Sequence, residues 1–339
     1  MNFEDSESHG GWRPAPNRFL EIFSDPLYQL VLSLQDIVTV ESAKFWRCRG
    51  IKAIHLPITT DTISSPMGLG SDSLPVHVNL FGRDTFLADS MQFMLEYGCR
   101  FNEAGTWYLM PSFRGEHSDK THLNQFFHSE AELSGDLADV ISVVEAYMRT
   151  LAGAVLNECA AALESLGKNT AHIERMAASA PFEQLTMDEA VHFLGSDGQA
   201  MEFHDGWTTL TRHGERRLME EVGEFVWVTH FDHLAVPFYQ AFDSSSTLKS
   251  LSADLLFGPG EVVGAGERHS TSDQLKAALR MHEVPVDRYQ WYVDMKERSP
   301  MQTSGFGMGV ERWMMWVLEE SDIRELQLAP RLNGIRLTP

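Results

Sequence analysis

Three stretches of this chain carry residue types suited to work on a polyanion. The first runs from Phe113 to Phe126. Arg114, His117, Lys120 and His122 set cations in an otherwise acidic sequence, with Glu116 among them. An arginine fork matches phosphate oxygens. Glu116 can accept a hydrogen bond from an exocyclic amine, and Phe126 offers a face on which a base can stack. The same charges also fit a solvated hairpin tip. The second stretch is Asp254-Leu-Leu-Phe-Gly-Pro-Gly-Glu261. If its glycines turn the chain back, Asp254 and Glu261 face one space. Hard carboxylate oxygens beside phosphates are a usual way to hold Mg²⁺; a surface ion pair is the other reading. Arg268 follows seven residues after Glu261, an odd spacing that puts the two on opposite faces of a regular strand. A bulge would bring them together, and Gly264 and Gly266 are the places for one. The third stretch, Gly305-Phe-Gly-Met-Gly-Val-Glu-Arg312, reads as a glycine-rich turn opening a helix. Gly309 and Arg312 then sit near a helix N-terminus, where anions are favoured.

Other signals are more local. His230, Asp232 and His233 have metal-ligating side chains, yet no further ligand follows at zinc spacing, so a core role is expected. There is no G-x-S-x-G, Walker A or HExxH motif. Cys48, Cys99 and Cys159 form neither a disulfide framework nor a CxxC pair. Lys and Arg number 27 against 48 Asp and Glu, a net charge of −21, which argues against wrapping a nucleic acid. No apolar run approaches the roughly 20 residues of a membrane helix, and the acidic, polar N-terminus is unlike a targeting signal. These features predict a soluble cytoplasmic protein with no membrane partner.

The elements that must position these residues follow from hydrophobic spacing. Asp25 caps, and Pro26 opens, a helix ending at Gly50; a short strand follows over 51–56, then a hairpin of 76–81 with 85–88. A short helix starts at Ser90, strands are expected over 106–113 and 125–133, and a long helix over 135–166. Residues 167–223 are weakly patterned and read as a helical insertion. Strands are expected over 224–230, 253–257 and 261–266, and helices over 271–283, 286–296 and 308–319. Helices clustered around hairpin-linked strands predict an α+β fold with a mainly antiparallel sheet.

In this order, the three stretches resemble the catalytic domain of class II aminoacyl-tRNA synthetases of the aspartyl/asparaginyl subgroup. PSFRGEHSDKTHLNQFFHSEAEL is similar to that subgroup's second signature, and GFGMGVERWMMWVL with DIRELQLAPR to its third. DLLFGPGEVVGAGER resembles the strand pair between them, and the first helix, strand and Pro57 resemble the first signature. The likeness covers roughly residues 18–339, after a flexible arm over 1–17. It implies a six-stranded antiparallel sheet flanked by helices, a homodimer, and ATP with Mg²⁺. Arg114 would hold the α-phosphate, Glu116 the adenine amine and His122 the outer phosphates. Phe126 would stack on adenine, Gly309 would line the nucleotide, Asp254 and Glu261 would bind Mg²⁺, and Arg312 would clamp the γ-phosphate. Arg268 would grip the substrate side chain, with Ser90, Gln92 and Glu96 in the amino-acid pocket; Arg114, Arg268 and Arg312 are the catalytic set.

Two departures select a branch of that family. Residues 1–17 are too short for an anticodon-binding barrel, and with the net charge this makes tRNA unexpected as a partner. Ser64–Asp72, SSPMGLGSD, lacks the glutamate that synthetases place there. It resembles instead the freestanding asparagine synthetases, which adenylate the side chain of aspartate and let ammonia displace AMP. Leu95 stands where aspartate-binding members carry lysine, so an aspartate analogue and another amine stay open. The alternative is a truncated synthetase paralogue acting on tRNA or on a small-molecule amine.

Overall fold

A computed structural model describes residues 17–64, 73–178, 181–195 and 197–335. Residues 1–16 of the expected arm, and all of the Ser64–Asp72 loop except Ser64, lie outside them. Among the described residues one large sheet contains β1 (Lys52–Ala53), β2 (Thr106–Phe113), β3 (Gln125–Ser134), β4 (Glu183–Thr186), β5 (Val226–Thr229), β6 (Ser252–Phe257), β7 (Gly260–Glu267) and β8 (Thr303–Gly309). Their order is β1-β2-β3-β8-β7-β6-β5-β4. The middle six, β2 through β5 in that order, pair antiparallel throughout. Two short strands extend the expected six to eight by parallel pairing, β1 on β2 and β4 on β5. β1 lies within the strand expected over 51–56, whereas β4, of four residues, is too short for alternation to reveal.

The helices used below are α1 (Pro26–Cys48), α2 (Gln92–Cys99), α3 (Leu137–Ser165), α4 (Arg212–Glu221), α5 (Ser272–Met281), α6 (Gln290–Arg298) and α7 (Val310–Leu318). Asp25 caps α1 by accepting from the Leu27 N–H, with Pro26 in the first turn. Asp136 and Asp139 form a reciprocal box at the start of α3. No helix among the described residues is long and apolar enough to cross a membrane.

Cross-strand partners share a face, so the register assigns every side chain of the sheet to one of two layers. Trp107, Ala131, Phe306, Ala265 and Ala253 are successive partners, and they belong to the same core as α1, α3 and α7. The alternate positions form the other layer. Tyr108, Glu130, Gly307, Gly264 and Asp254 make one row across it; Thr106, Glu132, Gly305, Gly266 and Ser252 make the next. One face is therefore oil, and the centre of the other is acids over a floor of glycine, bordered by apolar clusters that include Val226, Val228 and Leu256 on one side and Tyr108 on the other.

Three expectations change here. The stretch 305–309 is a central strand, β8, rather than a turn. Its glycines serve close approach: a Cβ at Gly305 would collide with the Glu132 carboxylate, and one at Gly307 would stand 2.8 Å from Glu130 Oε1. The bulge demanded by the spacing of Glu261 and Arg268 exists, but at Val262. Leu255 faces Val263 while Leu256 faces Glu261, which leaves Val262 as the extra residue. The segment 167–223 is also not purely helical, since it includes β4 and a hairpin of Met201–His204 with Trp207–Leu210.

Candidate functional site

The loop joining β2 to β3 is tied down at both ends. Asn124 Nδ2 donates to the carbonyls of Arg114 and Glu116, and Asn333 Nδ2 donates to the latter as well. These bonds replace a free hairpin tip with a shaped wall. A cavity of about 330 Å³ opens beside it, and Arg114, Glu116, His122, Phe126, Glu261, Gly309 and Arg312 all line it. β2, β3, β7 and α7 thus bring together residues nearly two hundred positions apart.

Two atoms in this cavity want a ligand. Among the described residues Arg114 Nε and Glu116 Oε2 are buried with no hydrogen-bond partner, a state that native proteins rarely tolerate without one. Glu116 Oε1 already accepts from the Leu74 N–H at 2.9 Å, so only its second oxygen is open. The Arg114 guanidinium lies 5.7 Å from the centre of the Phe126 ring, and both line the cavity. A missing donor at Glu116 and a missing acceptor at Arg114 describe a ligand carrying both an amine and a phosphate.

At the other end Asp254 and Glu261 flank Gly264: a Cβ there would stand 3.2 Å from Glu261 Oε1 and 3.6 Å from Asp254 Oδ1. Burial, then the charges of Glu261 and Glu215, push the Asp254 carboxyl well above its usual range. Burial and Glu261 likewise push Glu215 up to about 7. Arg312 partly offsets this crowding; it donates to the Glu261 carbonyl at 2.8 Å and lies 3.9 Å from that residue's carboxylate. Crowded, desolvated carboxylates of this kind fit a divalent cation. Among the described residues no group of three or more His, Cys, Asp or Glu is arranged to hold a metal alone.

Arg268 lies beyond this cavity, at the Glu132 end of the same face. Its Nε and Nη2 donate to Glu132 at 3.0 Å each, and its Nη1 donates to Gln240 Oε1 at 2.8 Å. Both ions are buried, and the carboxylate raises the guanidinium further above its usual range. Between Arg268 and the nucleotide-shaped cavity stands Glu130, which accepts from Ser90 Oγ at 2.6 Å and from the Tyr108 hydroxyl. Burial pushes Glu130 up to about 7. Gln92 begins α2 beside Ser90, its N–H donating to Ser90 Oγ at 3.2 Å.

Glu96 is a correction. It is buried, and its oxygens are taken by Lys296 Nζ at 2.6 Å, Arg100 Nη1 at 3.1 Å and the Tyr292 hydroxyl. A carboxylate so engaged presents nothing to a substrate. His233 is a core residue, bonded to His282 at 2.9 Å and to the Gln240 carbonyl at 2.8 Å, while Asp232 pairs with Lys249. Four residues went unread: His128, Glu130, Glu132 and Gln240. The first three alternate with Phe126 along β3, so strand periodicity was the available signal. Gln240, from a distant loop, had none. Burial, Arg114 and Arg312 together hold the His128 imidazole down at about 3, so it is neutral.

The chain matches the family described as tRNA synthetases class II (D, K and N) over residues 14–333. It is 31% identical over 317 residues to the asparagine–tRNA ligase of Syntrophobacter fumaroxidans, covering 86% of this chain and 67% of that one. It is 31% identical to the enzyme of the same name from Xanthomonas euvesicatoria, covering 81% of this chain and 61% of the relative. The chain thus spans about two thirds of the length of these relatives. Asparaginyl-tRNA synthetase of Pyrococcus horikoshii, solved with asparaginyl-adenylate, superposes with a TM-score of 0.86 at 26% identity, over 95% of this chain and 73% of that one. These relatives overturn the expectation that tRNA is not a partner, since the two curated proteins are tRNA ligases. A net charge of −21 is a sum over the whole surface, whereas phosphate binding depends on the local field. With the match running nearly end to end and these identities beside it, the chain belongs to the class II tRNA synthetases of the D, K and N group, a family of ATP-dependent ligases.

Proposed function

We propose that this chain activates asparagine with ATP and passes the asparaginyl group to tRNA. The observation that carries the reading is the buried Arg268–Glu132 pair with Gln240 Oε1 beside it. Guanidinium N–H groups next to carboxylate and amide oxygens are the complement of a carboxamide, which both accepts and donates. An aspartate side chain would instead bring a second negative charge against Glu132 in a dry site, at a cost of several kcal/mol. Leu95, where aspartate-binding members carry lysine, supplies no cation to offset it. Glu130, ionised more readily once an ammonium lies beside it, suits the amino acid's α-amino group.

In the proposed reaction an α-carboxylate oxygen bonds to the α-phosphorus while the bond to the bridging oxygen breaks and diphosphate leaves. A tRNA hydroxyl then attacks the acyl carbon and releases AMP. Arg114 holds the α-phosphate, Glu116 the adenine amine and Arg312 the outer phosphates, so the chain supplies positioning and opposite charge rather than a nucleophile. Asp254 and Glu261 would hold Mg²⁺, which would offset negative charge on the nucleotide.

A second reading, ammonia displacing AMP from the adenylated side chain of aspartate, is favoured by one observation: residues 64–72 contain no glutamate. One experiment separates the two. The chain is incubated with Mg·ATP and either labelled asparagine plus total tRNA, or aspartate plus ammonium. Acid-precipitable asparaginyl-tRNA is expected from the first mixture. Free asparagine from the second, with no charged tRNA from the first, would replace the main reading.

A further inference from the structure

Helix α4 belongs to the segment that the sequence patterns least clearly, yet its first turn touches His122 and Glu261, two residues that line the nucleotide-shaped cavity. Thr211 caps it by accepting from the Gly214 N–H. Gly214 has to be glycine, because a Cβ there would collide with the Ala200 carbonyl. That close packing sets where Arg212 and Glu215 point, and residues three apart share one side of a helix. Glu215 reaches the acid pair at Asp254 and Glu261. Arg212 reaches the imidazole of His122, with Nη2 3.2 Å from Nε2 and 3.3 Å from Nδ1. Among the described residues that ring is the only hydrogen-bond partner of the Arg212 side chain. Burial, Arg312 and Arg212 all lower the pKa of His122. Two guanidinium groups therefore act on His122, whose acid partner is Asp119, 3.2 Å from its Nδ1.

We propose that Arg212 is a further ligand for the outer phosphates of the nucleotide, and for the diphosphate that leaves, acting with Arg312 and His122. The inference rests on the nucleotide reading above. A neighbouring cavity of about 660 Å³ shares Thr121 with the nucleotide-shaped one and carries Lys120, Arg212 and Arg216 on its wall, with Glu220, Glu319 and Glu320 among the acids beside them. Arg175, farther into that cavity, is already paired with Glu224 through two bonds of 2.5 and 2.9 Å. Lys120, Arg212 and Arg216 make no such ion pair among the described residues.

Calorimetric titration of the full chain with Mg·ATP and, separately, with inorganic diphosphate tests this. Arg212→Ala is expected to weaken both about ten- to a hundredfold, the loss of charge-assisted hydrogen bonds, and Arg212→Lys to restore part of it. Affinity for asparagine should stay within about twofold, since Arg212 is far from the amino-acid end. If Arg212→Ala binds both phosphates like the wild type while Arg312→Ala does not, the inference falls and the nucleotide reading stands. An equal loss of asparagine affinity would mark Arg212 as merely structural and overturn it as well. A wild type that binds neither phosphate would bring down both.

Discussion

A buried arginine and glutamate decide the side-chain preference at the residue scale. Arg268 and Glu132 satisfy each other, and Gln240 takes a further donor of the guanidinium. Neutralising the acid alone leaves a buried cation short of its counter-charge. Glu132→Gln should destabilise the chain by about 3 kcal/mol and lower its preference for asparagine over aspartate about tenfold or more. ATP–diphosphate exchange with each amino acid measures the second effect, and denaturant unfolding the first. A variant with unchanged preference would detach this pair from substrate recognition. The residue scale was only partly legible in sequence. Arg114, Glu116, His122 and Phe126 stood out because unlike residues were packed into one short stretch. Glu132 did not, because its meaning depends on Arg268, more than a hundred residues away.

Glycine shapes the site at the scale of elements. β8 and β7 carry glycines in register, Gly305 with Gly266 and Gly307 with Gly264. A methyl group on any of the four meets a polar side chain within 3.6 Å. In isolation GFGMG looks like a turn, and only the strands on either side show that it is the floor of a pocket. Gly305→Ala should destabilise by about 1–3 kcal/mol, through overpacking against Glu132, and should weaken amino-acid binding. Gly153, within α3, has nothing within 4 Å of its would-be Cβ, so Gly153→Ala should stabilise by about 0.5–1 kcal/mol. Denaturant midpoints of the two variants should therefore move in opposite directions; movement in the same direction would contradict the packing argument.

Buried titratable groups make stability depend on pH at the scale of the whole molecule. His233 and His282 bond to one another and are each held at about 4 by burial, against an ordinary 6.5. Between those values the unfolded chain takes up protons that the folded one refuses. Their contribution is complete above pH 6.5 and is lost as pH falls toward 4. Glu130, Glu215 and Glu311, each pushed up to about 7 from 4.5, act oppositely. Their contribution is full below 4.5 and declines as pH rises to 7. Because the trends oppose, a difference measurement is needed. His282→Gln should lose about 1–3 kcal/mol less stability than the wild type between pH 7 and pH 4.5, read by urea unfolding at both. Equal losses would mean that this histidine does not titrate on unfolding.

Local pattern alone was enough for the helix opened by Asp25 and Pro26, the strand over Thr106–Phe113, the long helix behind the sheet and the cationic stretch at Arg114. Each is written in neighbouring residues: a cap, a period, a cluster of charge. The register of the sheet was decided by tertiary structure, and with it the bulge at Val262, the retreat of Glu96 into an ion pair with Lys296, and the arrival of Arg212 beside His122. Those outcomes depend on which distant strands become neighbours and on what burial does to a charge, quantities that exist only once the chain has closed on itself.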